Sequence, residues 1–264
     1  EAEAHWQQLW NHQPDALQQP LLKLAMALTQ ERANHLDALF AANSWVTLPS
    51  LRTPLLLHVA PAELLRELAQ QERISAEERN TALFTLLYKE LMAGQYQAFI
   101  QDAALVAGQP QPKAPFELAL FAQGARAEEG YSCPALQESL STLLKNPKAA
   151  KALNCLGEFI YRQGWDDSPL GLAPAANELA GSPTRFAAPV AGRLALYRQV
   201  IADKQAPAEE RSYALYRAIN CYAPSGNNSC GSQEIPLSQR KGWFNTLKRQ
   251  YGTSQWAKQL KYYW

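Results

Sequence analysis

The chain has 264 residues, 47% of them hydrophobic and 19% charged, and its formal net charge is +1. A near-neutral chain argues against a dedicated nucleic-acid-binding protein, which normally carries a basic excess on one face, and against a polybasic membrane anchor. No run of roughly 18 apolar residues occurs, so the sequence predicts no transmembrane segment.

Helix-forming residues fill most segments, and the alternating β-branched runs that mark strands are nearly absent. Only residues 44–48 and 55–59 invite a strand interpretation. The Ser-Ala-Glu-Glu segment at 75–78 predicts a capping box, in which the serine hydroxyl binds free backbone amides and the last glutamate reaches back. The Pro-Ala-Glu-Glu segment at 207–210 predicts another helix start, because proline suits the first helical position and carboxylates favour the positive helix end.

Internal repetition suggests how these helices are arranged. Residues 76–84 (Ala-Glu-Glu-Arg-Asn-Thr-Ala-Leu-Phe) read almost the same as residues 208–216 (Ala-Glu-Glu-Arg-Ser-Tyr-Ala-Leu-Tyr), and residues 118–123 match residues 194–199. Both matches place a small residue beside a leucine and an aromatic, where a partner helix must approach closely. Together they favour repeated helical hairpins over chance similarity among helix-rich segments.

Helical hairpins cannot bury their apolar faces alone, so they stack on one another. We therefore predict an all-α fold of stacked antiparallel helical hairpins, an α-solenoid with a concave surface. Residues 168–189 contain four prolines and indicate an irregular connection. This divides the chain into an N-terminal helical region at 1–167, the connection at 168–189 and C-terminal hairpins at 190–264. A turn-rich loop is expected at 223–236.

The four cysteines are Cys133, Cys155, Cys221 and Cys230, and none of them forms a CxxC pair. The histidines lie far away in sequence, so we expect no metal site. Sequential pairing, Cys133 with Cys155 and Cys221 with Cys230, is favoured because each pair brackets a local turn. The alternatives are the two other connectivities and four buried free thiols. A first residue other than methionine, Glu1, together with disulfides favours a periplasmic or secreted protein.

The C-terminal third resembles tetratricopeptide-like helical repeats. Residues 243–247, which begin with Trp-Phe, and residues 251–257 (Tyr-Gly-Thr-Ser-Gln-Trp-Ala) are similar to the turn between repeat helices in bacterial outer-membrane-barrel assembly lipoproteins and periplasmic Tol–Pal coordinators. That turn has an aromatic, proline, any residue and serine, with alanine three residues on; here Gly252 replaces the proline. The resemblance covers residues 190–264 well and 75–107 loosely. It implies a TPR-like solenoid, protein–protein contacts and no enzyme chemistry.

Two acidic sites are weighed for catalysis. Glu138-Ser139 matches the general-acid pair of lytic transglycosylases, but the glycine-rich segment that follows in that family is missing. Asp166-Asp167, after Trp165, supplies two carboxylates for glycosidase chemistry or a cation, whereas a solvated turn is the simpler interpretation. No nucleophile elbow, P-loop, dinucleotide fingerprint or zinc-protease motif occurs. We therefore predict no catalytic residue and no cofactor.

Aromatic and basic side chains alternate near the end of the chain. The residues predicted to form an interaction surface are Arg240, Trp243, Arg249, Trp256 and Tyr262. Aromatics and arginine dominate binding hot spots, which supports this prediction. The alternative is that the aromatics pack between repeats while the basic side chains extend over apolar surface.

These observations lead to a functional hypothesis. The chain is expected to be a non-enzymatic periplasmic or secreted scaffold that binds another envelope protein or a polymer, with no nucleic-acid partner. One alternative is an envelope enzyme acting on glycan, such as a lytic transglycosylase or glycosidase, whose acidic residues converge only in three dimensions. Another is a small-molecule or lipid carrier with an apolar cavity. The sequence leaves the oligomeric state open.

Overall fold

The computed structural model describes residues 1–109, 116–122, 130–167, 170, 172–186, 192–231 and 234–263. The regular elements within these ranges are all helices, which confirms the predicted all-α class. Residues 55–59, one of the two possible strands, instead lie largely within a helix, Pro49–His58. No helix of the described residues is long and apolar enough to cross a membrane.

The α-helices of the described residues, in chain order, are α1 (Ala2–Asn11), α2 (Gln18–Arg32), α3 (Leu36–Phe40), α4 (Pro49–His58), α5 (Ala62–Ala69), α6 (Ala76–Met92), α7 (Tyr96–Asp102), α8 (Leu136–Lys145), α9 (Ala150–Gln163), α10 (Arg193–Ala202), α11 (Ala208–Ile219), α12 (Leu237–Gln250) and α13 (Gln255–Gln259). Short 3-10 helices occur at Ala103–Gly108, Leu118–Ala122 and Trp165–Asp167.

The chain divides into two compact units. The first contains Glu1–Lys89, Ala104–Leu118 and Pro169–Ala188, and the second contains Glu90–Ala103, Ala119–Ser168 and Pro189–Trp264. Most of the predicted connection at 168–189 therefore belongs to the first unit, and the predicted region 1–167 contributes to both. Composition marks irregular backbone at 168–189, but it carries no information about which helices that backbone packs against.

The predicted capping box at 75–78 forms only in part. Ser75 Oγ accepts a hydrogen bond from the backbone amide of Glu78 at 3.1 Å, as expected for an N-cap serine. The Glu78 carboxylate does not complete the box. It accepts from Nη2 and Nε of Arg52 at 2.5 and 2.9 Å. Because Arg52 is buried on α4, a charged acceptor for its guanidinium outweighs a local cap.

The two similar segments at 76–84 and 208–216 start α6 and α11, and their arginines have similar roles. Arg79 Nη1 donates to the carbonyl oxygen of Ile74 at 2.8 Å, in the connection before α6. Arg211 Nη2 donates to the carbonyl oxygen of Ile201 at 3.2 Å, in the last turn of α10. Each arginine thus ties the start of its helix to the backbone that leads into it.

The second predicted match does not correspond to two equivalent helices. Residues 194–199 lie inside α10, whereas Leu118–Ala122 forms a short 3-10 helix. Gln123, the last residue of the match, lies outside the described residues. A matching segment of six residues is too short to determine whether the backbone forms an α-helix or a 3-10 helix.

Helices of the second unit pack mainly against their neighbours in the chain. The packed pairs are α7 with α8, α8 with α9, α9 with α10, α10 with α11, α11 with α12, and α12 with α13. Helices two apart also touch, α9 with α11 and α11 with α13. This order of packing is consistent with a helical repeat.

Both predicted disulfides are confirmed. Cys133 is bonded to Cys155 with a Cα–Cα distance of 5.5 Å, and Cys221 is bonded to Cys230 with a Cα–Cα distance of 5.3 Å. No cysteine is free, so the alternative of four free thiols is wrong. The first bond attaches the segment before α8 to the middle of α9, and the second closes the loop that follows α11.

A glycine permits the close approach of α9 and α10. Gly157 lies within α9, and a Cβ atom placed there would be 2.5 Å from Cε1 of Tyr197 on α10. Tyr197 is completely buried, so its ring has no room to move aside. A residue with a side chain at this point would force the two helices apart.

We expect Gly157→Ala to lower the free energy of unfolding by about 1–3 kcal/mol, because the added methyl group overlaps the Tyr197 ring. The matched control is Gly242→Ala in α12, where an added Cβ meets no atom within 4 Å. In that control the free energy of unfolding should rise by up to about 1 kcal/mol, because alanine has a higher helix propensity than glycine. Urea unfolding followed by circular dichroism gives both values, and equal effects at the two sites would contradict the packing argument.

Candidate functional site

The centre of the second unit contains a buried ion pair. Glu158 on α9 is fully buried, and Arg217 on α11 is 5% exposed. Arg217 Nη2 donates to Glu158 Oε2 at 2.6 Å, and Arg217 Nε donates to the Tyr213 hydroxyl at 3.1 Å. Burial raises the pKa of Tyr213, and the Glu158 charge raises it further, so this hydroxyl stays protonated. The pair links α9 to α11 across the interior.

A second buried pair holds the start of α10. Arg193 Nε lies 2.5 Å from Asp166 Oδ2 in the 3-10 helix after α9. Arg193 Nη2 also donates to the carbonyl oxygen of Ser229 at 3.1 Å. The Asp166 side chain is 6% exposed, so the solvated-turn interpretation is wrong for this residue. The side chain of Asp167 lies outside the described part of the chain.

The ring of Tyr161 lies close to both arginines. Its centroid is 4.6 Å from Cζ of Arg193 and 4.8 Å from Cζ of Arg217. Tyr161 is itself exposed, so one aromatic side chain separates the two guanidinium groups from water while offering them the negative face of its ring. The residues next to Tyr161 in the sequence do not indicate that its ring contacts these two arginines.

The repeated glutamate of α11 is engaged differently from its counterpart in α6. The Tyr131 hydroxyl donates to Oε2 of Glu210, and Asn154 Nδ2 donates to the same oxygen at 2.9 Å. Burial, followed by the hydrogen bond to Glu210, raises the pKa of Tyr131. The Tyr131 ring stacks on the Tyr213 ring at a centroid distance of 3.6 Å. Nζ of Lys151 lies 3.7 Å from the other oxygen of Glu210, so a tyrosine, an asparagine and a lysine together do for Glu210 what Arg52 does for Glu78 in the first unit.

These contacts decide what the carboxylates of Glu158, Asp166 and Glu210 can do. Glu158 and Asp166 are held by arginines, and Glu210 accepts hydrogen bonds from Tyr131 and Asn154 and pairs with Lys151. A general acid or base must face a substrate, and all three carboxylates face adjoining helices instead. Glu138, on α8, is exposed and takes no part in the contacts described above. Among the residues that the structure describes, no group of three His, Cys, Asp or Glu side chains could hold a metal ion.

Two cavities lie next to each other along α10. The first has a volume of about 590 Å³ and is lined by Lys148, Leu153, Gln199, Ala202, Asp203, Lys204 and Gln205. The second has a volume of about 440 Å³ and is lined by Ala195, Arg198, Gln199, Ile201, Ala202, Gln239 and Trp243. Gln199 and Ala202 line both cavities, so the two adjoin along the exposed edge of α10.

The structure separates the residues of the predicted interaction surface. Trp256 is 2% exposed and its ring lies 4.8 Å from the Tyr213 ring, so it belongs to the core and not to a surface. Trp243 is 7% exposed and lines the second cavity. Arg240 places its guanidinium 4.0 Å from the Tyr222 ring. The last two, Arg249 and Tyr262, are exposed, and their binding role stays a prediction.

The first unit contains an unusual lysine. Lys89 on α6 is 8% exposed, and its Nζ lies 5.6 Å from the Phe186 ring centroid. Burial lowers the pKa of Lys89 to about 8. Burial also lowers the pKa of His58 at the end of α4, and the nearby Lys89 charge adds to that effect. At neutral pH the Lys89 amine is therefore charged although it is buried, and this lowers the stability of the folded state.

We expect Lys89→Met to stabilise the protein on the order of 3 kcal/mol below pH 8, because the folded state then no longer buries an ammonium group. The folded-state pKa is below the unfolded value, so the penalty shrinks as pH rises above 8. It vanishes near the ordinary lysine pKa of about 10.4. Chemical unfolding at several pH values measures the gain, with the exposed Lys145→Met as control. A gain that stays constant with pH would contradict this account.

Breaking the interior ion pair should be costly. Arg217→Met removes the guanidinium that is hydrogen-bonded to the buried Glu158 carboxylate and leaves the partly exposed Arg162, whose Nε is 3.8 Å from that carboxylate. We therefore expect a loss of about 3 kcal/mol in unfolding free energy, the lower end of the range for a broken buried ion pair. Replacing both residues with methionine should cost clearly less than the sum of the single replacements. A double-mutant cycle in urea gives the coupling energy, and additive effects would show that the two charges are independent.

Comparison with known proteins adds no relative to this description, since no family model, curated protein or solved structure matches the chain.

Proposed function

We propose that the chain is a non-enzymatic helical-repeat binding protein of the periplasm or the extracellular space, and that it binds another envelope protein or a polymer. The observation that carries the proposal is the pair of adjoining cavities on α10. Their exposed lining consists mainly of amide and basic side chains. These groups suit reversible binding and include no nucleophile with an adjacent base.

The charged interior supports a binding role over a catalytic one. Asp166, one of the carboxylates considered for glycosidase chemistry, neutralises an arginine inside the fold, as Glu158 does, and Glu138 lies exposed on α8 outside both cavities. Retaining and inverting glycosidases both need two carboxyl groups that flank a bound sugar. The cavities on α10 contain one carboxylate between them, Asp203.

The two disulfides support the compartment. Such bonds persist in the periplasm and outside the cell, whereas reducing conditions in the cytosol keep thiols free. Neighbour-to-neighbour packing of α8 to α13 and the similarity of residues 190–264 to tetratricopeptide-like repeats support a solenoid. Solenoids commonly use successive helix surfaces to hold an extended partner.

The proposal can be tested by sedimenting the whole chain with isolated cell-envelope fragments. We expect the protein to be retained and no soluble glycan or peptide fragments to appear by mass spectrometry. Ala202→Trp places an indole at the junction of the two cavities and should weaken retention about tenfold, which corresponds to about 1.4 kcal/mol.

The matched control is Ala208→Trp, at an exposed alanine that lines neither cavity, and it should bind as the unmodified chain does. Release of fragments would favour the envelope enzyme. If Ala202→Trp is retained as strongly as the unmodified chain, the cavities on α10 are not the binding site.

A further inference from the structure

The two cavities on α10 share a chemistry that points to a class of ligand. Basic side chains enter from three places, namely Lys148 before α9, Arg198 on α10 and Lys204 after α10. The acidic residue of the lining, Asp203, accepts a hydrogen bond from the backbone amide of Gln205 at 2.9 Å and so is engaged in the turn. The surface therefore carries an excess of positive charge, which attracts an anionic ligand.

The remaining polar groups of the lining are amides. Gln199 and Gln205 line the first cavity, and Gln239 joins Gln199 in the second. All three glutamines are exposed. A carboxamide offers two donors and an acceptor, which matches a hydroxyl group that both donates and accepts. A row of amides therefore suits a ligand that is rich in hydroxyl groups.

The apolar part of the lining does not resemble a peptide-binding surface. Leu153 and Trp243 are 3% and 7% exposed, so they form the cavity walls without projecting from them. Protein partners usually insert aromatic or aliphatic anchors into apolar pockets, and such contacts carry most of the binding energy. The other apolar side chains of the lining are the exposed Ala195 and Ala202 and the half-buried Ile201, and the exposed ones are too small to enclose an anchor of that type.

We propose that the cavities on α10 bind an anionic, hydroxyl-rich glycan, a polymer of the uronic-acid type, laid across the helix at Gln199 and Ala202. The carboxylates of the sugar face the basic side chains, and the hydroxyls face the glutamines. Because the two cavities adjoin, successive sugar units of one chain occupy both. This inference rests on the proposed binding function and names its ligand.

The test uses the whole chain and short oligogalacturonate as the probe, with binding measured by calorimetry at low salt. We expect Lys148→Gln combined with Lys204→Gln to weaken binding about tenfold, because two charge contacts are lost. Lys258→Gln combined with Lys261→Gln removes the same charge from exposed positions outside both linings, and it should leave the affinity unchanged.

Two further probes distinguish an anionic glycan from a neutral glycan and from an acidic peptide. A neutral malto-oligosaccharide of equal length should bind at least tenfold more weakly, and polyglutamate of equal charge should do the same. Equal affinity for polyglutamate would overturn the glycan assignment in favour of an acidic peptide. Equal losses in the two double variants would show that the attraction is not located at α10.

Failure of this inference differs from failure of the proposed function. If oligogalacturonate does not bind while Ala202→Trp still weakens retention on envelope fragments, the ligand class is wrong and the binding role stands. If neither binding is seen, both are wrong. Circular dichroism of each variant shows that the compared proteins are equally folded.

Discussion

The buried pair between Glu158 and Arg217 is the constraint on which the second unit depends. An isolated charge in a protein interior is expensive, so the burial of each group requires an opposite charge nearby. Arg217 is hydrogen-bonded to Glu158, and Nε of Arg162 lies 3.8 Å from the same carboxylate. That requirement fixes the separation of α9 and α11 and their rotation about their axes. The helix between them in sequence, α10, must then fit the remaining space, and it does so by packing Tyr197 against Gly157.

The position of α10 depends on the second buried ion pair, between Arg193 and Asp166. Its first residue, Arg193, is held by Asp166 and by the backbone of Ser229, one residue before the disulfide-bonded Cys230. Its buried side has Tyr197, and its opposite edge presents Gln199 and Ala202 to solvent. The cavities proposed to bind a glycan therefore lie on a helix whose placement is set by interior electrostatics. The proposed binding surface and the buried contacts that stabilise α10 thus lie on opposite faces of one helix.

Much of the architecture was predictable because it depends on local signals. The helix starts at 75–78 and 207–210, the pairing of all four cysteines and the all-α class were each predicted from neighbouring residues and confirmed. The site was predicted less well. Trp256 was expected on a surface, but an aromatic that alternates with basic residues in sequence can face either way on a helix. Three aromatic neighbours hold it in the core.

The sequence by itself determined which segments become helices, where they start and which loops are closed by disulfides, because propensity, capping and short loops act over a few residues. Only the tertiary structure decided which charges meet. Glu78 and Glu210 occupy the same position of a repeated segment, yet one is paired with Arg52 and the other with Tyr131, Asn154 and Lys151. A buried carboxylate takes whichever donors the neighbouring elements bring to it, and those donors are 26 and 56–79 residues away in the chain.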